Sequence, residues 1–161
     1  MKHLLIIWHS RTGGSEAMAR AAFEGARAEG EARLVRAAEA GAEDLLAAAG
    51  YLFFGPENLA ALSGEMKEFF DRCYYPVLGR IEGRPFAQVI CAGSDGESAA
   101  RQLARIATGW RLREVQAPRI VNTHAQTTEE ILAPKVIGAE QLAMCRELGA
   151  GMMAGVASGI W

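Results

Sequence analysis

The chain has 161 residues, of which 50 % are apolar and 22 % charged, with a formal net charge of −2. That length suits one domain, residues 1–161, whose core needs no disulfide or metal to hold it, and the apolar content excludes a disordered chain. Basic and acidic residues are intermixed, leaving no stripe to neutralise a nucleic-acid backbone, and no apolar run nears the roughly 20 residues that span a bilayer.

Apolar runs alternate with segments of helical period from end to end, the pattern of βαβ units and a mainly parallel sheet covered on both faces. Leu4 to Trp8 reads as the first strand; Arg11 and the lack of a small-residue cleavage site weigh against a leader peptide. From Gly14 to about Glu29, Met18, Ala21, Ala22, Gly25 and Ala26 recur at helical spacing, with Gly30 as the stop. Ala32 to Arg36 is the second strand, Asp44 to Ala49 a short helix, and Tyr51 to Phe54 a buried third strand ending at Gly55-Pro56. Ser63 is expected to cap a helix whose Met66, Phe69, Phe70 and Cys73 share one face.

Phe86 to Ala92 makes a fourth strand, Ser98 to about Thr108 a helix, and Val115 to Val121 a fifth strand. Trp110 reads as a packing anchor. Thr123 to Pro134 is polar and irregular, a surface excursion before a last helix from about Ala139 to Val156. The glycine- and methionine-bearing end of that helix is expected to bury against the sheet, with a homodimer or larger homo-oligomer left open. Strands two and five carry charges, and Pro118 interrupts the fifth, so both belong at sheet edges. The expected architecture is a three-layer α/β/α sandwich on a five-stranded parallel sheet of order 2-1-3-4-5, with its ligand cleft beyond the carboxyl ends of strands one, three and four.

Cys73, Cys91 and Cys145 form no CxxC pair, and His3, His9 and His124 are equally scattered. Neither a disulfide framework nor a metal site is expected, and a reducing cytoplasm is the natural compartment. Cys91 reads as a small buried residue at a strand end, and His124 as a surface residue.

The strongest motif is Ser10-Arg11-Thr12-Gly13-Gly14-Ser15, between the first strand and the first helix. A phosphate monoester there meets unpaired N–H groups, the positive end of the helix dipole and the hydroxyls of Ser10, Thr12 and Ser15, while Gly13 and Gly14 allow close approach. GxxxxGK[ST] and GxGxxG are both missing, which turns the reading away from ATP and dinucleotides bound in the usual way. The plainer alternative is an ordinary strand-to-helix turn capped by Thr12 or Ser15.

These six residues resemble the phosphate loop of flavodoxins, [ST]-x-T-G-x-[ST], at every fixed position. Gly55-Pro56-Glu57-Asn58-Leu59, Ser63-Gly64 and Met66-Lys67-Glu68-Phe69-Phe70-Asp71-Arg72 are similar to the segment bordering the flavin in flavodoxin-fold NAD(P)H-dependent FMN reductases; residues 92–96 match more loosely. The resemblance implies a flavodoxin-like fold with FMN phosphate on Ser10–Ser15, and with backbone groups of Pro56, Glu57, Asn58, Leu59, Gly93 and Ser94 along the ring. The alternative at both ring-side segments is a plain turn, with Ser94 or Asp95 capping the next helix.

Neither ring-side loop contains an aromatic residue, unlike an electron carrier that stacks its flavin between aromatic rings. An open ring face suits hydride transfer, which needs nicotinamide within about 3.5 Å of the flavin. The expectation is an FMN-dependent oxidoreductase taking hydride from NAD(P)H and passing it to a small-molecule acceptor such as a quinone or flavin, with no catalytic acid or base of its own. A flavodoxin-type electron carrier is the alternative.

Overall fold

A computed structural model describes residues 2–161. β1 (Leu4–Trp8) lies between the edge strand β2 (Ala32–Arg36) and the central β3 (Gly50–Asn58), each pairing in parallel with it. β5 (Pro85–Ala92) pairs in parallel with β3 on the other side, while β4 (Ala61–Leu62) folds back antiparallel on β3. Beyond β5, where a fifth strand is expected over Val115–Val121, two short strands pair in parallel with it: β6 (Arg113–Glu114), before that range, and β7 (Arg119–Asn122), which overlaps its end. The predicted order is preserved as β2-β1-β3-β5-β6, with a seven-stranded count. Between the two pieces the register on β5 shifts by two residues, from Arg113 opposite Pro85 to Arg119 opposite Val89, and Pro118, with no N–H for the ladder, lies in the gap.

Side chains alternate across the sheet and build one core on each face. Leu5, Ile7, Phe53 and Ile90 point to the side covered by α2 (Ala42–Ala47), α3 (Gly64–Val77) and α4 (Glu97–Gly109). Leu4, Ile6, Phe54 and Val89 point to the side covered by α1 (Gly14–Glu29) and α6 (Ala139–Ser158). Those two helices cross where Gly25 and Gly149 face backbone carbonyls: a β-carbon on Gly25 would run into Arg146 O, and one on Gly149 into Ala22 O. α6 thereby buries Cys145, Gly149, Met152, Met153 and Val156 against α1 and the sheet, as expected of its apolar positions. Burial pushes the Cys145 thiol up to about 12. Among the described residues no helix is long and apolar enough to cross a membrane.

Several local readings shift by identifiable chemistry. α2 starts at Ala42 rather than Asp44, because the Asp44 carboxylate accepts from the Gly41 N–H at 2.9 Å and so belongs inside the first turn. Trp110 is the packing anchor expected of it, fully buried with Nε1–H donating to Tyr74 O at 3.0 Å. Ser63 stands at the N-cap of α3 but makes no side-chain cap; its hydroxyl lies 2.7 Å from His9 Nδ1. The irregular stretch after β7 contains α5 (Thr128–Leu132), closed by Thr127 Oγ1 accepting from Glu130 N–H and by Glu130 accepting from Thr127 N–H.

Candidate functional site

β1 ends where the His9 N–H donates to Phe54 O at 3.1 Å, and the chain then leaves the sheet through Ser10–Gly13. Gly13 has φ 97°, a left-handed conformation natural to glycine, and it rather than Thr12 or Ser15 is the N-cap of α1. The motif's hydroxyls therefore do not cap the helix. Ser10 Oγ accepts from the Gly13 N–H at 3.0 Å, while the N–H groups of Arg11, Thr12, Gly14 and Ser15 find no acceptor among the described residues. Ser15 is 1 % exposed and its Oγ has no partner either. A buried, unpaired hydroxyl beside free amides at the positive end of a helix is costly unless something else binds there. Gly14 closes the floor: a β-carbon on it would lie 2.8 Å from Cys91 Sγ and 3.4 Å from Lys135 Cβ.

Beside this loop, beyond the carboxyl ends of β1, β3 and β5, lies a cleft of about 510 Å³. Its walls include Arg11, Thr12, Pro56, Glu57, Asn58, Leu59, Gly93 and Ser94, eight of the positions anticipated from sequence. Ser10, Gly13, Gly14 and Ser15 do not line it; the latter two are buried at the start of α1.

The stretch from Pro56 is not a plain turn. β3 continues through Asn58, Leu59 and Ala60 turn with φ 51° and 63°, and β4 returns with Glu57 opposite Leu62 and Asn58 opposite Ala61. Two positive φ values in a two-residue loop match the right-handed twist of the hairpin's strands, although neither residue is the Asn or Gly such turns prefer. The Leu62 N–H donates to Gln102 Oε1 at 2.8 Å, anchoring the hairpin on α4. Leu59 at its tip is fully exposed, and one Glu57 carboxylate oxygen is buried without a partner.

Part of the remaining wall comes from the stretch read as a surface excursion, Thr123 to Pro134, and from Lys135 just beyond it. Ala125, Ile131, Leu132 and Lys135 line the cleft together with Ala60, Cys91, Ala92 and Thr123. The segment is strapped down at several points: Lys135 N–H donates to Thr12 O at 2.8 Å, Gln126 Nε2 to Gly93 O at 2.9 Å and Asn122 Nδ2 to Ser94 O at 2.6 Å. The Lys135 ammonium caps α5 by donating to the carbonyls of Glu130, Ile131 and Ala133. The available sequence signal was the Thr127-x-x-Glu130 capping box, which marks a helix start. Neither Ser94 nor Asp95 caps α4; Gly96, at φ 88°, is its N-cap. Burial pushes the Cys91 thiol up, with Lys135 opposing, and His124 is exposed at φ 57°. Among the described residues no group of three or more His, Cys, Asp or Glu is placed to hold a metal ion.

No family model matches the sequence. It is 40 % identical over 96 residues to a protein of Aquifex aeolicus named Flavodoxin, an alignment covering 58 % of this chain and 50 % of the relative, so the match extends over about half the length of that protein. Among solved structures, a flavodoxin from the domain Archaea superposes with TM-score 0.78 at 15 % identity, over 96 % of this chain and 99 % of that one. A WrbA-like flavodoxin protein from Agrobacterium tumefaciens gives 0.75 at 17 %, over 98 % and 99 %. The rubredoxin:oxygen oxidoreductase of Desulfovibrio gigas gives 0.80 at 14 %, over 99 % of this chain and 37 % of that one. Strand order, two-sided helix cover and these superpositions agree: the chain has the flavodoxin-like α/β fold.

Proposed function

We propose that the chain binds FMN, with its phosphate on Ser10–Ser15 and its ring in the adjoining cleft, and acts as an oxidoreductase that takes hydride from NAD(P)H. The observation that carries this reading is the pairing of free amides and an unpartnered Ser15 hydroxyl at the start of α1 with a cleft of about 510 Å³, within the range for small-ligand sites. The residues fit a phosphate monoester without a metal: amides and hydroxyls supply donors, and Arg11 and Lys135 bring positive charge to the same wall. Bound FMN supplies hydride and electron chemistry through its ring. The chain's part is to grip the phosphate, present polar backbone along Pro56–Leu59 and Gly93–Ser94, and leave room for a second reactant.

Among the described residues no aromatic one lines the cleft; its apolar walls include Pro56, Leu59, Ala60, Ile131 and Leu132. That favours a ring face open to nicotinamide and then to a small acceptor. The second reading, an electron carrier, is favoured by the 40 %-identical relative named Flavodoxin. Anaerobic mixing of the FMN-loaded protein with NADH or NADPH separates them. The reductase bleaches its visible flavin band with one equivalent of nucleotide and recovers it on adding a quinone; a band that persists under both nucleotides selects the carrier.

A further inference from the structure

His9 joins the two walls of the cleft without lining it. It is the residue before Ser10, and its Nδ1 lies 2.7 Å from the hydroxyl of Ser63, the residue that follows β4. Its Nε2 lies 3.6 Å from Glu65 Oε2, a carboxylate that also accepts from Arg36 Nε at 3.1 Å and from Arg36 Nη2 at 3.4 Å. Ser63 is 1 % exposed, so this Ser–His–Glu arrangement offers no nucleophile to a substrate. Its role lies in what it connects: the end of β1 and the phosphate loop on one side, the base of the hairpin on the other.

We propose that His9 is a positioning residue that braces the Ser10–Ser15 loop against the β3–β4 hairpin through Ser63, and that an anion held on that loop draws a proton onto its ring. The inference rests on reading Ser10–Ser15 as an anion site, but not on the anion's being part of a flavin. With Nε2–H turned to Glu65, the neutral ring accepts from the Ser63 hydroxyl at Nδ1. The charged groups facing the ring are Glu65 on α3, Arg36 on β2 and Arg11 on the loop itself. Burial holds the imidazole below its ordinary value; Glu65 works against that, while Arg36 and Arg11 add to it. A dianion on the neighbouring amides opposes the two arginines, so the ring takes up a proton from solvent as the anion binds. Linkage then requires anion affinity to rise as pH falls through the His9 transition.

The test is an NMR titration of the histidine rings in the wild-type protein, first in chloride, then at equal ionic strength with sulfate, which stays a dianion, and then with FMN. His9 is expected to titrate at higher pH with sulfate and with FMN, while His3, at the opposite end of β1, stays where it was. An unmoved His9 in the FMN complex, or His3 moving as far as His9, overturns the proposal. A His9 that responds to sulfate in a protein with no affinity for FMN retains this inference and removes the flavin reading; FMN binding with an unmoved His9 does the reverse. His9→Ala should weaken FMN binding about fivefold, the worth of one net hydrogen bond. His9→Asn, whose amide can still reach Ser63 but does not titrate, should restore that affinity at pH 8 and lack the wild type's extra tightening at lower pH. Wild-type affinity and pH profile in His9→Ala would contradict the brace.

Discussion

The Ser10–Ser15 loop and the β3–β4 hairpin leave neighbouring strands at the same end of the sheet, yet they are shaped in opposite ways. In the loop, conformation follows from small residues: Gly13 takes φ 97° without strain, and Gly14 has no side chain to meet Cys91. The hairpin is shaped against local preference, since Leu59 and Ala60 occupy left-handed φ and are held there by two ladder pairs and the Gln102 anchor. A site that must leave its amides free needs a backbone that adopts its shape unaided. A site that supplies a wall can have its shape imposed by tertiary contacts.

Substitutions should therefore act in opposite directions in the two regions. The largest effect is expected from Gly14→Ala, which forces its methyl against Cys91 Sγ; overpacking of about 2 kcal/mol at the floor of the anion site lowers FMN affinity about 30-fold by fluorescence titration. In the hairpin, Leu59→Asn with Ala60→Gly supplies the residues such turns prefer. That pair should raise stability by about 1 kcal/mol, a Tm increase of roughly 2–4 °C by calorimetry. An unchanged affinity in the first variant, or a destabilised second one, would erase the contrast.

Smaller effects sharpen it. His3 and His9 are both held below their ordinary value, chiefly by burial, so the unfolded chain takes up protons first as the pH drops. Stability should be level above about pH 6.5 and decline as pH falls below it, until the folded-state rings protonate as well. In urea melts at pH 7.5 and 5.5, His9→Asn should lose part of that decline and His3→Gln another part. The smallest effect concerns the thiols: Cys91 is 8 % exposed in the cleft wall, against 1 % for Cys73 and 0 % for Cys145. Cys91 should be alkylated first at pH 8.5, and FMN should slow that labelling as followed by mass spectrometry.

The same contrast explains what could be read from residues alone. The loop is six contiguous residues placed between β1 and α1, so its position at the sheet's carboxyl end was legible from motif and element order. The fold was equally legible, because apolar runs such as Leu4–Trp8 and Phe86–Ala92 alternate with helical periods. The hairpin was missed because Leu59-Ala60 carries no turn signature; its left-handed geometry comes from pairing with residues further along the chain. Ile131, Leu132 and Lys135 were missed because their place in the wall depends on hydrogen bonds to Thr12 and Gly93 at least 33 positions away. Ser63 looked like a helix cap because the competing partner, His9, lies 54 residues earlier.

The most direct test of the central claim is a parallel titration of flavin-free protein with FMN and with riboflavin, which differ only in the phosphate. If the amides and hydroxyls of Ser10–Ser15 grip that group, FMN binds about a hundredfold more tightly, the worth of one or two charge-assisted hydrogen bonds. Equal affinities for the two, or no binding of FMN, would contradict the account.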